Sequence, residues 1–168
     1  SDLLAQPTGD WLAVREVAPP NALLVAQRSE PVRITETLRP VSRHEPAAGA
    51  FVYDVGQNIT GWVGLRLKNV PAGTRLTLRH GERLSPDGTL YTENLRRAKA
   101  TDVYIARGDE AEEWEPHFTF HGFQYIELTG YPGTPPEDMV TACVVHSATP
   151  QTGYFECSHP DVNRLWLN

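Results

Sequence analysis

Hydrophobic and polar residues alternate along much of this chain, as expected for β-strands that bury one face. The pattern is clearest in WVGLRLK, residues 62–68, where Val63, Leu65 and Leu67 share one face of the predicted strand. Trp62 falls on the opposite face, together with the basic residues of the segment. Because side chains of a strand point alternately to its two sides, the segment predicts an aliphatic inner face and a mixed outer face.

The same reasoning predicts strands throughout the chain, separated by turns rich in proline and glycine such as NVPAGT and SPDGT. The predicted strands span residues 23–28, 32–44, 51–55, 62–68, 75–84, 102–107, 113–120, 123–130, 140–147 and 152–157. So many strands with one apolar face must be stacked in layers, since a single sheet would leave that face in water. The predicted fold class is all-β, a two-layer antiparallel β-sandwich of the jelly-roll or concanavalin-like type.

One segment departs from the strand pattern, because SHPDVNRLWLN, residues 158–168, predicts a short helix. Ser158 is a good N-cap, and Pro160 suits the first helical turn, where a backbone N–H has no partner. An apolar stripe at positions i, i+3 and i+4 follows, made of Val162, Leu165 and Trp166. The predicted fold therefore ends in a C-terminal helical stub.

Composition and charge exclude several classes of partner. The 168 residues are enough for one domain with a core of its own. A net charge of −6 argues against nucleic acid and against anionic membranes, because both require a basic surface. Cys143 and Cys157 are too few for a disulfide framework and form no C-x-x-C motif. The acidic run DEAEEWE, residues 109–115, is expected to be a solvated turn.

Three blocks of sequence carry a resemblance to a known family. They are YDVGQNITGWVGLRL (53–67), HGERLSPDGTLYTENLRRAKATDVYIARG (80–108) and FTFHGFQYIELTG (118–130). Together, in this order and spacing, they resemble the bacterial α-L-rhamnosidases, and more narrowly the concanavalin-like β-sandwich domain that precedes the catalytic domain of these multidomain glycoside hydrolases. GYFECSHPDVNRLW, residues 153–166, is similar to the family's passage from the sandwich into the catalytic domain.

Residues 1–22, which include WLAVREVAPPN, are expected to be an entering linker. The resemblance implies a sandwich domain at 23–157 and, at 158–168, the truncated start of the first helix of a catalytic α/α barrel. In that family a pair of carboxylates in the barrel hydrolyses terminal α-L-rhamnose with inversion. No catalytic residue of the family maps onto this chain, so the chain by itself is expected to be inactive. We expect a non-catalytic domain that positions the barrel; the alternative is a carbohydrate-binding module that binds rhamnosides directly.

The resemblance also implies partners, namely the α/α barrel and the β-domains upstream. It implies no cofactor. Without the barrel, the apolar stripe of the helical stub needs another surface, so self-association through Leu165 and Trp166 is a further expectation.

The segment YTENLRRAKATDVY, residues 91–104, offers the best candidates for binding or for a domain interface. Its carboxylate, amide and guanidinium groups suit sugar hydroxyls as well as a partner domain; the candidates are Glu93, Asn94, Arg96 and Asp102. Three interpretations remain open for this segment: a loop whose charges pair with one another, a contact with the barrel or a neighbouring domain, and direct sugar binding.

Trp62 is the remaining candidate, since an outward indole suits sugar stacking and also suits a domain interface. A core tryptophan covered by a loop is the other interpretation. His117 and His121 would lie about 13 Å apart on a regular strand, which is too far to share one metal ion, so no metal site is predicted. An independent glycosidase would have to use Asp54, Glu82, Glu93 or Asp102, and no spacing singles out a pair of them.

Overall fold

The computed structural model describes residues 13–167. Its elements follow one another as β1 (Val32–Leu38), β2 (Ser42–Ala47), β3 (Ala50–Lys68), β4 (Arg75–Gly81), β5 (Arg83–Leu84), β6 (Leu90–Tyr91), a 3₁₀ helix (Glu93–Leu95), β7 (Thr101–Ile105), β8 (Ala111–Trp114), β9 (His121–Thr129), β10 (Val140–Ser147) and α1 (Pro160–Leu167). No helix among these residues is long and apolar enough to cross a membrane.

The sheet is organised around β3, which is long enough to belong to both layers. Its first half pairs with β2 and β9, and its second half pairs with β10 and β8, all antiparallel. The register against β9 shifts between Asp54 and Ile59, where Gly56 has a φ of 82°. This irregular stretch lets the strand bend, as β-bulges do. The strands β4 and β7 extend the sheet beyond β9, and β1 extends it beyond β10.

The two halves of the curled sheet enclose one hydrophobic core. Both halves of β3 contribute to it, together with β4, β9 and β10. Prominent members are Phe51, Tyr53, Val63, Leu65, Leu67, Leu78, Phe123, Ile126, Leu128 and Met139. Val63, Leu65 and Leu67 are buried while Trp62 is half-buried on the other face. The predicted alternation and the predicted antiparallel two-layer sandwich are therefore confirmed.

Some predicted strands are wrong, because a strand needs a neighbouring strand that local sequence does not supply. Residues 23–28 and 152–157 form no strand. The predicted strand 32–44 is divided into β1 and β2 near Pro40, which has no N–H for a ladder bond. The predicted strand 113–120 ends at Trp114, and Phe118 follows with a φ of 61°.

The acidic run at residues 109–115 is not simply a solvated turn. It contains β8, and the side chain of Glu112 on that strand is buried. Its carboxylate accepts hydrogen bonds from the hydroxyl of Tyr104 and from the backbone N–H groups of Arg107, Gly108 and Asp109. The Tyr104 hydroxyl first, and then these N–H groups, hold the pKa of Glu112 down to about 2. The carboxylate thus anchors the turn between β7 and β8.

The C-terminal helix α1 is present, and Pro160 is its first residue as predicted. The carbonyl of His159 accepts a helical bond from the N–H of Asn163, so His159 and not Ser158 holds the N-cap position. The side-chain amide of Asn163 bonds both the N–H and the carbonyl of Cys157, each at 2.8 Å. This pair of bonds fixes the entry to the helix one residue later than the sequence suggests.

Candidate functional site

Three polar side chains meet at one end of the core, on the strands β9, β4 and β7. These strands are neighbours in the sheet. His80 on β4 is opposite Ile126, Asp102 on β7 is opposite Leu78, and His121 on β9 is opposite Gly61. Directly opposite residues share a face of the sheet, so all three side chains are on the face that carries the core. We call this group the His–Asp–His cluster.

The cluster is held by few hydrogen bonds. The Nε2 atom of His121 lies 3.0 Å from Oδ2 of Asp102, and Nε2 of His80 lies 3.8 Å from the same oxygen. The two imidazole rings stack with 4.2 Å between their centroids. Nδ1 of His80 lies 3.1 Å from the carbonyl oxygen of Ala100. A carbonyl only accepts, so Nδ1 carries the proton and Nε2 carries a lone pair.

The lone pair of His80 is buried and has no partner. The residue is 0% exposed, and Nε2 has no hydrogen-bond partner among the described residues. Burial, followed by the neighbouring His121, lowers the pKa of His80 to about 4; the Ala100 carbonyl and Asp102 act in the opposite direction. His80 is therefore neutral at pH 7. Asp102 and His121 lie nearer the surface, each with 11% of its side chain exposed.

The candidates of the 91–104 segment are brought together only in part. Asp102 belongs to the His–Asp–His cluster, whereas Glu93 and Asn94 are exposed on the 3₁₀ helix. Glu93 accepts a hydrogen bond from Tyr91 at 3.3 Å. Arg96, which ends the 3₁₀ helix with a φ of 53°, is exposed. Arg96 and Arg97 make no ion pair with any carboxylate in the described part of the chain.

Glu82 and two amides form a polar group next to this segment. The Glu82 carboxylate accepts hydrogen bonds from Asn58 at 3.0 Å and from Asn94 at 3.4 Å. Asn58 belongs to the irregular part of β3 and Asn94 to the 3₁₀ helix. This group therefore ties the 91–104 segment to β3 through neutral donors, and it leaves the arginines free.

Trp62 lies on the outer face of the sheet, away from the core face that carries Asp102. Its indole is half-buried, and Nε1 donates to Oε2 of Glu115 at 3.0 Å. Glu115 lines a groove of about 520 Å³ beside the second half of β3. The groups of this groove with chemistry suited to binding are Arg66, Glu113, Trp114, Glu115 and His117. Gly64 lines the groove without a side chain, and Trp62 reaches it only through Glu115.

Sequence reasoning missed His80 and the partnership of His121 with Asp102. The sequence analysis considered His121 only as a possible partner of His117 in a metal site, on the assumption that both lie on one continuous strand. In the structure the strand is broken between them, and His117 is exposed in the loop before β9.

Strand parity could have indicated His80, because it continues the buried run of Leu76 and Leu78. It could not have indicated Asp102, because the apolar parity of β7 belongs to Val103 and Ile105, which are exposed in the structure. The register that places these side chains next to one another depends on residues far apart in the chain, and no sequence motif indicates it.

The fold places the chain in the class of antiparallel, concanavalin-like β-sandwich domains. Residues 44–146 match the family described as bacterial alpha-L-rhamnosidase concanavalin-like domain. An alpha-L-rhamnosidase of Streptomyces avermitilis is 48% identical over 161 residues, which are 94% of this chain and 15% of that protein. One from Formosa agariphila is 44% identical over 125 residues, covering 72% of this chain and 13% of that protein. The chain belongs to the bacterial α-L-rhamnosidase concanavalin-like domain family.

Solved structures agree with this assignment. The crystal structure of Streptomyces avermitilis alpha-L-rhamnosidase complexed with L-rhamnose matches with a TM-score of 0.80 at 50% identity, over 85% of this chain and 14% of that one. The alpha-L-rhamnosidase from Dictyoglumus thermophilum matches with a TM-score of 0.84 at 41% identity, over 89% of this chain and 17% of that one. The chain thus spans only 13–17% of the length of these relatives.

Proposed function

We propose that this chain is a non-catalytic β-sandwich domain of an α-L-rhamnosidase, and that it positions an α/α-barrel catalytic domain that hydrolyses terminal α-L-rhamnose from rhamnosides. The relatives in which the domain occurs are several times longer than the chain. We assign residues 23–157 to the sandwich and 158–168 to the start of the barrel's first helix. The proposed entering linker is residues 1–22, of which 1–12 lie outside the described residues.

The observation that carries the proposal is the exposed apolar stripe of α1. Leu165 is 73% exposed, Val162 41% and Trp166 39%. Tyr154 and Phe155, just before the helix, are also exposed. An isolated helix of this length is marginal in water, because nucleation costs more than a few backbone bonds return. A stripe of this kind indicates a partner surface, and the barrel is the partner that we assign to it.

Exposed basic residues of the 91–104 segment also favour a role in contacting another domain. Arg96, Arg97 and Lys99 are exposed and form no ion pair within residues 13–167. Unpaired guanidinium groups can bind carboxylates of a neighbouring domain in a bidentate manner. Exposed Phe118 and Phe120 add apolar area in the loop before β9. The candidate residues Glu93, Asn94 and Arg96 are therefore proposed as contacts to another domain.

The carboxylates considered for an independent glycosidase are all engaged in structural hydrogen bonds. Asp54 accepts from the N–H of Gly56 and from Gln124. Glu82 accepts from Asn58, Glu93 from Tyr91, and Asp102 contacts His121. Inverting hydrolysis needs an acid and a base about 6.5–9.5 Å apart with room for water and sugar between them. We therefore place the reaction outside this chain.

Two measurements test the proposal. The purified chain is incubated with an aryl α-L-rhamnoside, and no turnover is expected; steady release of the aryl alcohol that Glu93→Gln or Asp102→Asn abolishes would contradict it. In the full-length parent enzyme, Leu165→Ala and Trp166→Ala should lower thermal stability and activity together. Ile105→Ala, another exposed aliphatic position, is the matched control and should change neither. Equal behaviour of the three variants would exclude α1 as the contact to the barrel.

A second candidate function, direct binding of rhamnosides, is supported by the groove beside β3. Its volume of about 520 Å³ is ample for a sugar ring, and it combines an indole with carboxylate, guanidinium and imidazole groups. Sugar sites commonly pair an aromatic surface with a few polar groups that fix orientation.

A further inference from the structure

We propose that the His–Asp–His cluster is a binding site for a divalent transition-metal ion of the Zn²⁺ type, with Nε2 of His80, Nε2 of His121 and Oδ2 of Asp102 as ligands. Imidazole and carboxylate are the ligands that such ions take in proteins. The three donor atoms all lie within 4.8 Å of one another. The proposed positioning role of the domain does not require this metal site, so an experiment that disproves one of the two proposals leaves the other unaffected.

The strongest argument is the buried, unpartnered nitrogen of His80. The side chain is 0% exposed, and its Nδ1–H donates to the carbonyl of Ala100. Metal-binding histidines characteristically donate their second ring N–H to a carbonyl or carboxylate, which fixes the tautomer and the ring orientation. This leaves the lone pair on Nε2, which lies 3.8 Å from Oδ2 of Asp102 and has no donor among the described residues. A buried acceptor without a partner is costly, and a metal ion would supply what it lacks.

The distances fit a small cation after a modest adjustment. Two ligand atoms around tetrahedral Zn²⁺ lie about 3.3 Å apart when each bond is about 2.0–2.1 Å. The Asp102 oxygen lies 3.0 Å from Nε2 of His121 and 3.8 Å from Nε2 of His80. These separations bracket the required value, so the carboxylate need not move far.

One side chain has to turn. The imidazole rings stack at an interplanar angle of 21°, so an ion on the His80 lone pair would lie outside the plane of the His121 ring. The ring of His80 is fixed by its hydrogen bond to Ala100, whereas the ring of His121 makes one side-chain hydrogen bond, to Asp102, in the described structure and otherwise stacks on His80. His121 keeps 11% of its side chain exposed whereas His80 has none, so His121 is the less enclosed of the two rings and the one that we expect to turn. Binding therefore exchanges the His121–Asp102 hydrogen bond for two metal bonds, and the proton that Nε2 of His121 shared with Asp102 moves to Nδ1 of the same ring or to solvent.

The site would fasten three strands together and leave one position open. Its ligands come from β4, β7 and β9. Ala100, whose carbonyl orients His80, is the last residue of the loop that precedes β7. Three protein ligands with a fourth, solvent-side position are typical of zinc sites that hold water. The geometry assigns a clamping role, because an ion bound here stabilises the folded arrangement of β7 and its preceding loop relative to the unfolded chain.

The test is titration of the metal-stripped protein with Zn²⁺ alone, followed by calorimetry at neutral pH. One equivalent should bind to the wild type, and the melting temperature should rise and fall back on addition of a chelator. His121→Gln and Asp102→Asn should lower the affinity for Zn²⁺ by more than roughly 10–100-fold, which is the loss expected when a residue that only hydrogen-bonds to a metal ligand is mutated. His117→Gln, which removes an exposed histidine outside the cluster, is the matched control and should bind like the wild type.

Two further measurements distinguish the loss of a metal ligand from destabilisation of a variant. Circular dichroism of each variant without metal shows whether the sandwich is intact, and only folded variants are compared. Co²⁺ should give the intense visible absorption of a four-coordinate site in the wild type and in His117→Gln. Wild-type affinity no greater than that of folded His121→Gln, or a cobalt spectrum of a hydrated six-coordinate ion only, would overturn the proposal.

Discussion

Gly61 lies directly against the backbone of Cys143, so that a Cβ atom on Gly61 would be 1.8 Å from the Cys143 carbonyl oxygen. Gly61 pairs with Val144 on one side and with His121 on the other, just after the irregular stretch of β3 between Asp54 and Ile59. The close approach therefore occurs where the strand passes from one layer of the sandwich to the other. Gly64, on the same strand, has only the carbonyl of Thr141 near its missing Cβ, at 3.8 Å.

This contrast gives a prediction from a matched pair. Gly61→Ala should lower the free energy of unfolding by about 3 kcal/mol or more, because overpacking against backbone cannot be relieved by a rotamer change. Gly64→Ala should be neutral or stabilising by a few tenths of a kcal/mol, since alanine restricts the unfolded chain more than glycine does. Urea denaturation of both variants measures the difference, and equal stabilities would show that β3 does not approach Cys143 this closely.

The buried Glu112 carboxylate predicts how stability depends on pH. Its folded pKa of about 2 is below its ordinary value of 4.5. A carboxyl with a depressed folded pKa stabilises the fold above its unfolded pKa, and this contribution is lost as the pH falls through the folded pKa. We expect Glu112→Gln to be clearly less stable than wild type at pH 7, and the difference to shrink as the pH falls from about 4.5 toward 2.

The neighbouring Glu113 is the control for this effect. It is exposed, and its ion pair with Arg66 at 3.2 Å is exposed on both sides, which is a kind of pair that contributes little. Glu113→Gln should leave both the stability at pH 7 and its pH dependence almost unchanged. A constant gap between wild type and Glu112→Gln across pH 7 to 3, measured by denaturant unfolding at each pH, would contradict the assigned role of Glu112.

Sugar binding at the groove beside β3 can be tested with L-rhamnose and a rhamnosylated flavonoid, followed by tryptophan fluorescence. If the groove is the site, Gly64→Ile should weaken binding sharply, because its side chain would occupy part of the groove at a position where a β-branched residue suits the strand. Gly153→Ile, at a glycine with nothing within 4 Å of its missing Cβ, should bind normally. Trp62→Ala should weaken binding, since Trp62 orients Glu115. Saturable binding with wild-type affinity in Gly64→Ile would place the sugar elsewhere.

Deletion of residues 159–168 tests how α1 is accommodated in this chain. The exposed Leu165 and Trp166 predict that α1 contributes little to the core of the sandwich and that it docks against a second copy at high concentration. The deletion should convert any dimer to monomer in sedimentation experiments and leave the melting temperature within a few degrees. A large fall in melting temperature of a chain that was always monomeric would instead make α1 part of this domain, and the proposed boundary near Ser158 would be wrong.

The features that depend on near neighbours in the chain were predictable. The period-two alternation of residues 62–68 predicted which face of β3 is buried, because successive side chains of a strand point to opposite sides wherever the strand lies. Pro160 and the apolar stripe predicted α1 for the same reason, since helix initiation is a local event. The three resembling blocks predicted the family, and the match of residues 44–146 confirms it.

The features that depend on strand pairing were decided only by the tertiary structure. His80, Asp102 and His121 come from three strands that lie side by side only because the sheet order is β9, β4, β7. Glu112, in an acidic run that reads as solvated, is buried because the turn after β7 directs three N–H groups at it. Trp62 faces outward as its parity requires, yet its indole is half-buried and donates a hydrogen bond to Glu115. Alternation along one strand specifies a face, whereas neighbours across a sheet depend on register and topology, which involve residues far apart in the chain.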